Sequence, residues 1–170
     1  MTLTVTEGRL TFEFPEDVVA SKYDQWGFYR NQINNCFGGT KAVDILCLDT
    51  EDLWLIEVKD YRANARTKVI DLGEEVALKV GDTLWGLVAA QVNANDAEEK
   101  KWARKALSSQ RIHVVLHLEQ PEKHSRAFPR VVEPANLKLK LKQLLKPVDL
   151  HPKVVSQGNL ASNMRWSVRG

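Results

Sequence analysis

Residues 41–61 read Lys41-Ala-Val-Asp44-Ile-Leu-Cys-Leu-Asp-Thr-Glu-Asp-Leu-Trp-Leu-Ile-Glu57-Val-Lys59-Asp-Tyr61. Two apolar runs flank a short acidic turn at Asp49–Asp52, the pattern of two buried strands in a tight hairpin. Side chains alternate across a strand, so Leu53, Leu55, Glu57, Lys59 and Tyr61 share one face of the second run and Trp54, Ile56 and Val58 the other. Both faces are apolar for most of its length, as expected of a central strand covered on two sides. Glu57 and Lys59 therefore project the same way from an oily strand, where charge is costly unless something compensates it. An antiparallel partner brings Asp44 beside Glu57, and two carboxylates with a few waters suit Mg²⁺ or Mn²⁺. Lys59 stands ~6.5 Å beyond Glu57 on the same face, near enough to serve the same site.

Around this hairpin the composition is that of an ordinary folded domain. The 170 residues are 44% hydrophobic and 27% charged, enough for a substantial core. A net charge of +2 makes no case for a nucleic-acid binder by itself, so any such case rests on local clustering. Cys36 and Cys47 are too few for a disulfide framework, and no apolar run is long enough to span a membrane, which points to the cytoplasm and no membrane partner. Residues 1–146 are expected to form one domain. Residues 147–170 are expected as a C-terminal tail, with a small strand at Met164–Val168 or a contact between copies in a homodimer.

Upstream, Thr2–Thr6 and Arg9–Phe14 alternate as short strands, and Glu16 to about Asn35 carries a helical spacing. Downstream, Asp71-Leu-Gly-Glu74 resembles a capping box for a long helix to about Asn93, and Asp96-Ala-Glu-Glu99 opens a second one to about Leu107. Arg111–Leu118 reads as a strand, Pro121 to Pro134 as a loop carrying Lys123, Arg126 and Arg130, and Asn136–Lys146 as a helix. His113 and His117 share a strand face but stand ~13 Å apart along it, too far to ligate one ion. His124 and His151 fall in loops. Trp54 and Trp85 have apolar neighbours and are expected in the core. The class is α/β, a central mixed sheet in three layers with flanking helices.

Three Glu-x-Lys triplets occur: Glu57/Lys59, Glu98/Lys100 and Glu99/Lys101. The last two sit in a polar helical stretch, and only Glu57-Val-Lys59 ends an apolar strand beside an Asp. In that context the chain resembles the PD-(D/E)xK phosphodiesterase superfamily, the restriction-endonuclease-like fold, over about Tyr23 to Leu118. Val43 stands where a proline is frequent, and no clear strand precedes Asp44, so Arg9–Phe14 is expected to fill the sheet. The resemblance implies metal ligation by Asp44 and Glu57, catalysis by Asp44, Glu57 and Lys59, and a supporting acid from the first helix. Asp24 is preferred for that acid over Glu16 and Asp17. It implies a Mg²⁺-dependent nuclease acting on DNA, with RNA not excluded, or an inactive binding or regulatory module of the same fold. Targeting would come from a partner protein. Lys41, Arg62, Arg66 and Lys68 flank the site and could hold phosphates. Lys138, Lys140, Lys142 and Lys146 read as a solvated helix face. The competing reading is a purely structural ion cluster of Asp44, Glu57 and Lys59.

Overall fold

The computed structural model describes residues 2–121 and 132–170. Strands β1 (Leu3–Glu7), β2 (Leu10–Phe14) and β3 (Val19–Ser21) come first, then short 3₁₀ and π-helical turns between Tyr23 and Gly38. Next are the hairpin strands β4 (Ile45–Asp49) and β5 (Asp52–Asp60), then helices α1 (Leu72–Asn93) and α2 (Ala97–Leu107). Strand β6 (Arg111–Glu119), helix α3 (Pro134–Leu144) and strands β7 (Lys153–Val155) and β8 (Ser167–Arg169) complete the order.

The main sheet has five strands in the order β3-β4-β5-β6-β7. Strands β3, β4 and β5 run antiparallel in turn, whereas β5, β6 and β7 are parallel neighbours. The parallel pair β5 and β6 needs a crossover, which α1 and α2 provide. Strand β5 alternates as its sequence requires. Leu53 and Leu55 enter the core beneath the helices, while Trp54, Ile56 and Val58 enter a second core on the other face. That second core is closed by a separate three-stranded sheet, β1-β2-β8, through Phe12, Phe14 and Val168. The fold is thus α/β in three layers about a central mixed sheet, with α1, α2 and α3 on one face.

Three expectations need correction. The helix expected over 16–35 is broken. Val19–Ser21 instead pairs with β4 along Leu46–Leu48, and the Glu99 carboxylate accepts from the Gly27 and Phe28 N–H groups (2.6 and 3.0 Å) to start a fresh turn. Pairing along the edge of the sheet wins over helical spacing. Consequently β3, and not Arg9–Phe14, supplies the strand before Asp44; Arg9–Phe14 contributes β2 to the small sheet. Trp54 is buried as expected, but Trp85 is 41% exposed and meets Phe37 edge-on. Within residues 147–170, β7 joins the main sheet, and β8, overlapping the small strand expected at Met164–Val168, joins the three-stranded one. Lys123, His124, Arg126 and Arg130 lie outside the described residues.

The helix starts follow their sequence signals. The Asp71 carboxylate accepts from the Glu74 N–H (3.2 Å), and Asp96 accepts from those of Glu98 and Glu99 (2.7 and 3.0 Å). Gly86 is a packing requirement, because a Cβ there would fall on the Tyr23 hydroxyl. Tyr23 is fully buried against Trp26 and Tyr29. Gly86→Ala should therefore cost about 1–3 kcal/mol by overpacking, overriding the usual helical gain from alanine. Urea unfolding of the two proteins measures it.

Candidate functional site

The approach to β4 is held by α1. The Lys41 N–H donates to Asp82 Oδ2 (2.7 Å) and the Val43 N–H to Thr83 Oγ1 (3.0 Å), whose hydroxyl donates to the Lys79 carbonyl (2.7 Å). The ladder pairs Ile45 with Ile56, so the next position outward sets Asp44 against Glu57. Asp44 Oδ2 accepts from the Val58 N–H at 2.7 Å, which fixes its carboxylate at the strand end.

Glu57 has no solvent exposure. Its Oε1 receives two ammonium groups, Lys79 at 2.6 Å and Lys59 at 2.7 Å, while Oε2 is buried with no hydrogen-bond partner among the described residues. Lys79 Nζ also lies 3.7 Å from Asp44 Oδ1, between the two carboxylates. Lys59 Nζ reaches Glu75 Oε1 at 3.3 Å, and buried Glu75 in turn pairs with Lys68 (2.6 Å) and Arg66 (2.8 Å). Asp44, Glu57 and Lys59 are therefore members of one connected cluster. Glu75 and Lys79 were not singled out by the sequence reading. Their signal was present, because Glu75, Lys79 and Thr83 form a polar row at i, i+4, i+8 beside the apolar stripe of Leu72, Val76 and Val80.

Burial, and then the charge on Glu57, pushes the Asp44 carboxyl up to about 7 against the pull of Lys79 and the Val58 N–H. Burial opposes the charge on Lys59, but Glu57, Glu75 and Asp44 overcome it and hold the ammonium above its ordinary range. Glu75 shows the converse. Burial raises it, yet Lys68, Arg66 and Lys59 outweigh that and bring it down to about 2.

The other anticipated residues are dispersed around this cluster. Asp24 sits in a 3₁₀ turn with Oδ1 buried and unpartnered among the described residues, and its charge acts with that of Asp44 on Lys22. Asp17 is drawn away by Arg165, which also binds Asp49 at the hairpin turn, and Glu16 lies in the same turn as Asp17. Arg66 is committed to Glu75 and the Tyr61 hydroxyl, and Arg62 to Asp60. Lys41 and Lys68 are the more solvent-facing of the flanking cations. Lys140 joins Asp71 and Glu74. His117 is fully buried and paired with Glu119 at 2.8 Å, and His113 stacks on Trp54. Among the described residues no group of three or more His, Cys, Asp or Glu converges as a metal set, and no helix is long and apolar enough to cross a membrane.

No protein-family model matches this chain, and no solved structure matches it. Among curated proteins, the Cysteine--tRNA ligase of Neisseria meningitidis serogroup A / serotype 4A is 38% identical over 176 residues, covering 84% of this chain. The chain spans about a quarter of that relative's length. This similarity overturns the PD-(D/E)xK assignment. A motif of three residues is weak beside identity spread over most of the chain, and the chain itself contains three Glu-x-Lys triplets. The expectations of a DNA nuclease, of an inactive module of that family, and of DNA as partner fall with it, since the relative is a ligase named for tRNA.

Two stability effects follow from the cluster. Asp44 binds its proton more tightly folded than unfolded, so its contribution erodes between pH about 4 and about 7 and is level above that. Asp44→Asn should gain on the wild type by up to roughly 4 kcal/mol as pH rises through that window. Thermal melts at pH 4.5 and 8 give the difference. Lys79→Met should cost about 2 kcal/mol at neutral pH, less than full stranding of a buried charge because Lys59 stays on Glu57.

Proposed function

We propose that this chain is a tRNA-handling unit of an enzyme of tRNA ligation, which gathers an RNA phosphate at the mouth of the Asp44–Glu57–Lys59–Lys79 cluster. The observation that carries this reading is the 38% identity with a protein named Cysteine--tRNA ligase, spread over 84% of the chain. A tRNA partner also implies a cytoplasmic setting. The geometry supports a polyanion site. Lys59 and Lys79 are held at the margin of the core with side chains 16% and 14% exposed, and Lys41 and Lys68 stand outside them. Phosphate contacts of this kind position a nucleic acid without reading its sequence.

Two carboxylates are a donor set that Mg²⁺ accepts, once the Lys79 ammonium swings out from between them. The ion takes one or two carboxylates and fills its other positions with water and phosphate oxygens. Asp44 and Glu57 would hold it, and Glu57 Oε2 has no protein partner among the described residues to compete. The ion would supply positive charge to a phosphate oxygen. Lys59 neutralises the phosphate charge in either case, since its ammonium stays protonated throughout the physiological range. Burial and the charge on Glu57 hold the Asp44 proton up to about 7, so Mg²⁺ would have to displace that proton to be held there.

A second reading treats the cluster as structural. The observation in its favour is that Lys79 already lies between the two carboxylates, giving them a counter-charge from the protein itself. Filter binding of unmodified tRNA and of duplex DNA of equal length separates the two. On the first reading tRNA binds more tightly than the duplex, and its affinity falls tenfold or more between low and physiological salt. Mg²⁺ strengthens it, and Asp44→Asn removes the Mg²⁺ effect from a folded protein. Equal binding of DNA, or none of tRNA, overturns this proposal. Lys59→Met that loses stability but keeps full tRNA affinity supports the structural reading.

A further inference from the structure

The outward face of α1 inverts the usual surface pattern. Its solvent-facing positions from 78 to 92 are Leu78, Gly81, Trp85, Val88 and Val92, without a charge among them. At 3.6 residues per turn they fall within an arc of ~80° and run ~21 Å along the helix. Phe37 lies edge-on to Trp85 with ring centroids 5.3 Å apart and is 87% exposed. Its backbone sits in the left-handed region at φ 53°, a conformation that costs a bulky residue energy. The 3-4-3-4 spacing is that of a helix-packing seam, and none of it is needed for the core on the opposite side of α1.

We propose that this seam is a homodimer interface in which α1 packs antiparallel against α1 of a second copy. Two observations select that occupant. First, the stripe is self-complementary about its centre. With Trp85 near the two-fold axis, Leu78 of one copy meets Val92 of the other, and Gly81 meets Val88. A Cβ built at Gly81 has no neighbour within 4 Å, so this position is a notch open to a facing side chain. Second, the area suffices. The seam and Phe37 leave on the order of 500 Å² of apolar side chain bare per copy, so a two-fold pair buries roughly 1,000 Å², the lower bound for a specific interface. The inference is independent of the tRNA reading.

Light scattering of the purified chain from dilute to concentrated solution tests it. The mass should rise to twice the 19.3 kDa of one chain. Val88→Glu should hold it at one chain with an unchanged far-ultraviolet circular dichroism spectrum. Gly81→Gln should also give single chains, because it fills the notch, while helix content is kept or raised. Leu139→Glu on α3, where Leu139 is 62% exposed, should leave the pair intact. A single-chain mass for the wild type at every concentration overturns the proposal. So do Val88→Glu and Gly81→Gln proteins that stay paired, and so does a Leu139→Glu protein that separates as readily.

Discussion

Glu57 is a carboxylate with no access to water, and the two ammonium groups of Lys59 and Lys79 meet on one of its oxygens. A buried ion network adds little net stability over a well-packed apolar one, but losing one member is expensive. That asymmetry gives the cluster its structural consequence. Helix α1 cannot slide along β5 or turn about its axis without separating Lys79 from Glu57 and Glu75 from Lys59. Thr83 repeats the constraint by joining α1 to the backbone at Val43. Helix α1 therefore has one position on the sheet, and the position of Asp44 follows from it.

The layers on either side of β5 follow from its alternation. One face offers Leu53 and Leu55 to the helices, and the other offers Trp54, Ile56 and Val58 to the small sheet. That small sheet is assembled from both ends of the chain, with β8 pairing to β2 at Thr11–Glu13. Charged residues finish its margins: Arg169 binds Glu13, Arg9 binds Asp60, and Arg165 ties Asp17 to Asp49. Each pair has an arginine exposed to solvent, so each adds little energy.

The cluster and the relative constrain function in different ways. Acids and lysines at the end of a buried strand describe a place for a cation and an anion, and many chemistries use such a place. Similarity over 84% of the chain narrows the biological setting, while the match to a quarter of the relative leaves most of that protein without a counterpart here. Glu57 and Lys59 were conspicuous in the sequence because charge interrupts an apolar alternation. The same conspicuousness made a short motif look more specific than it was.

The elements with their own local code were legible in the amino-acid order. The hairpin follows from strict alternation around an acidic turn, α1 and α2 from carboxylate caps at Asp71 and Asp96, and α3 from Pro134 at its first turn. Asp44, Glu57 and Lys59 could be placed together because a ladder register follows from a tight turn. The stretch from Glu16 to Asn35 was not legible, because its helical spacing competes with the open edge of β4 and with the Glu99 carboxylate seventy residues away, and neither is visible locally. Lys79 and Glu75 joined the site only once the chain had folded. Their spacing marks a helix flank, but what that flank touches depends on how α1 is laid across β5, a matter of packing between distant segments.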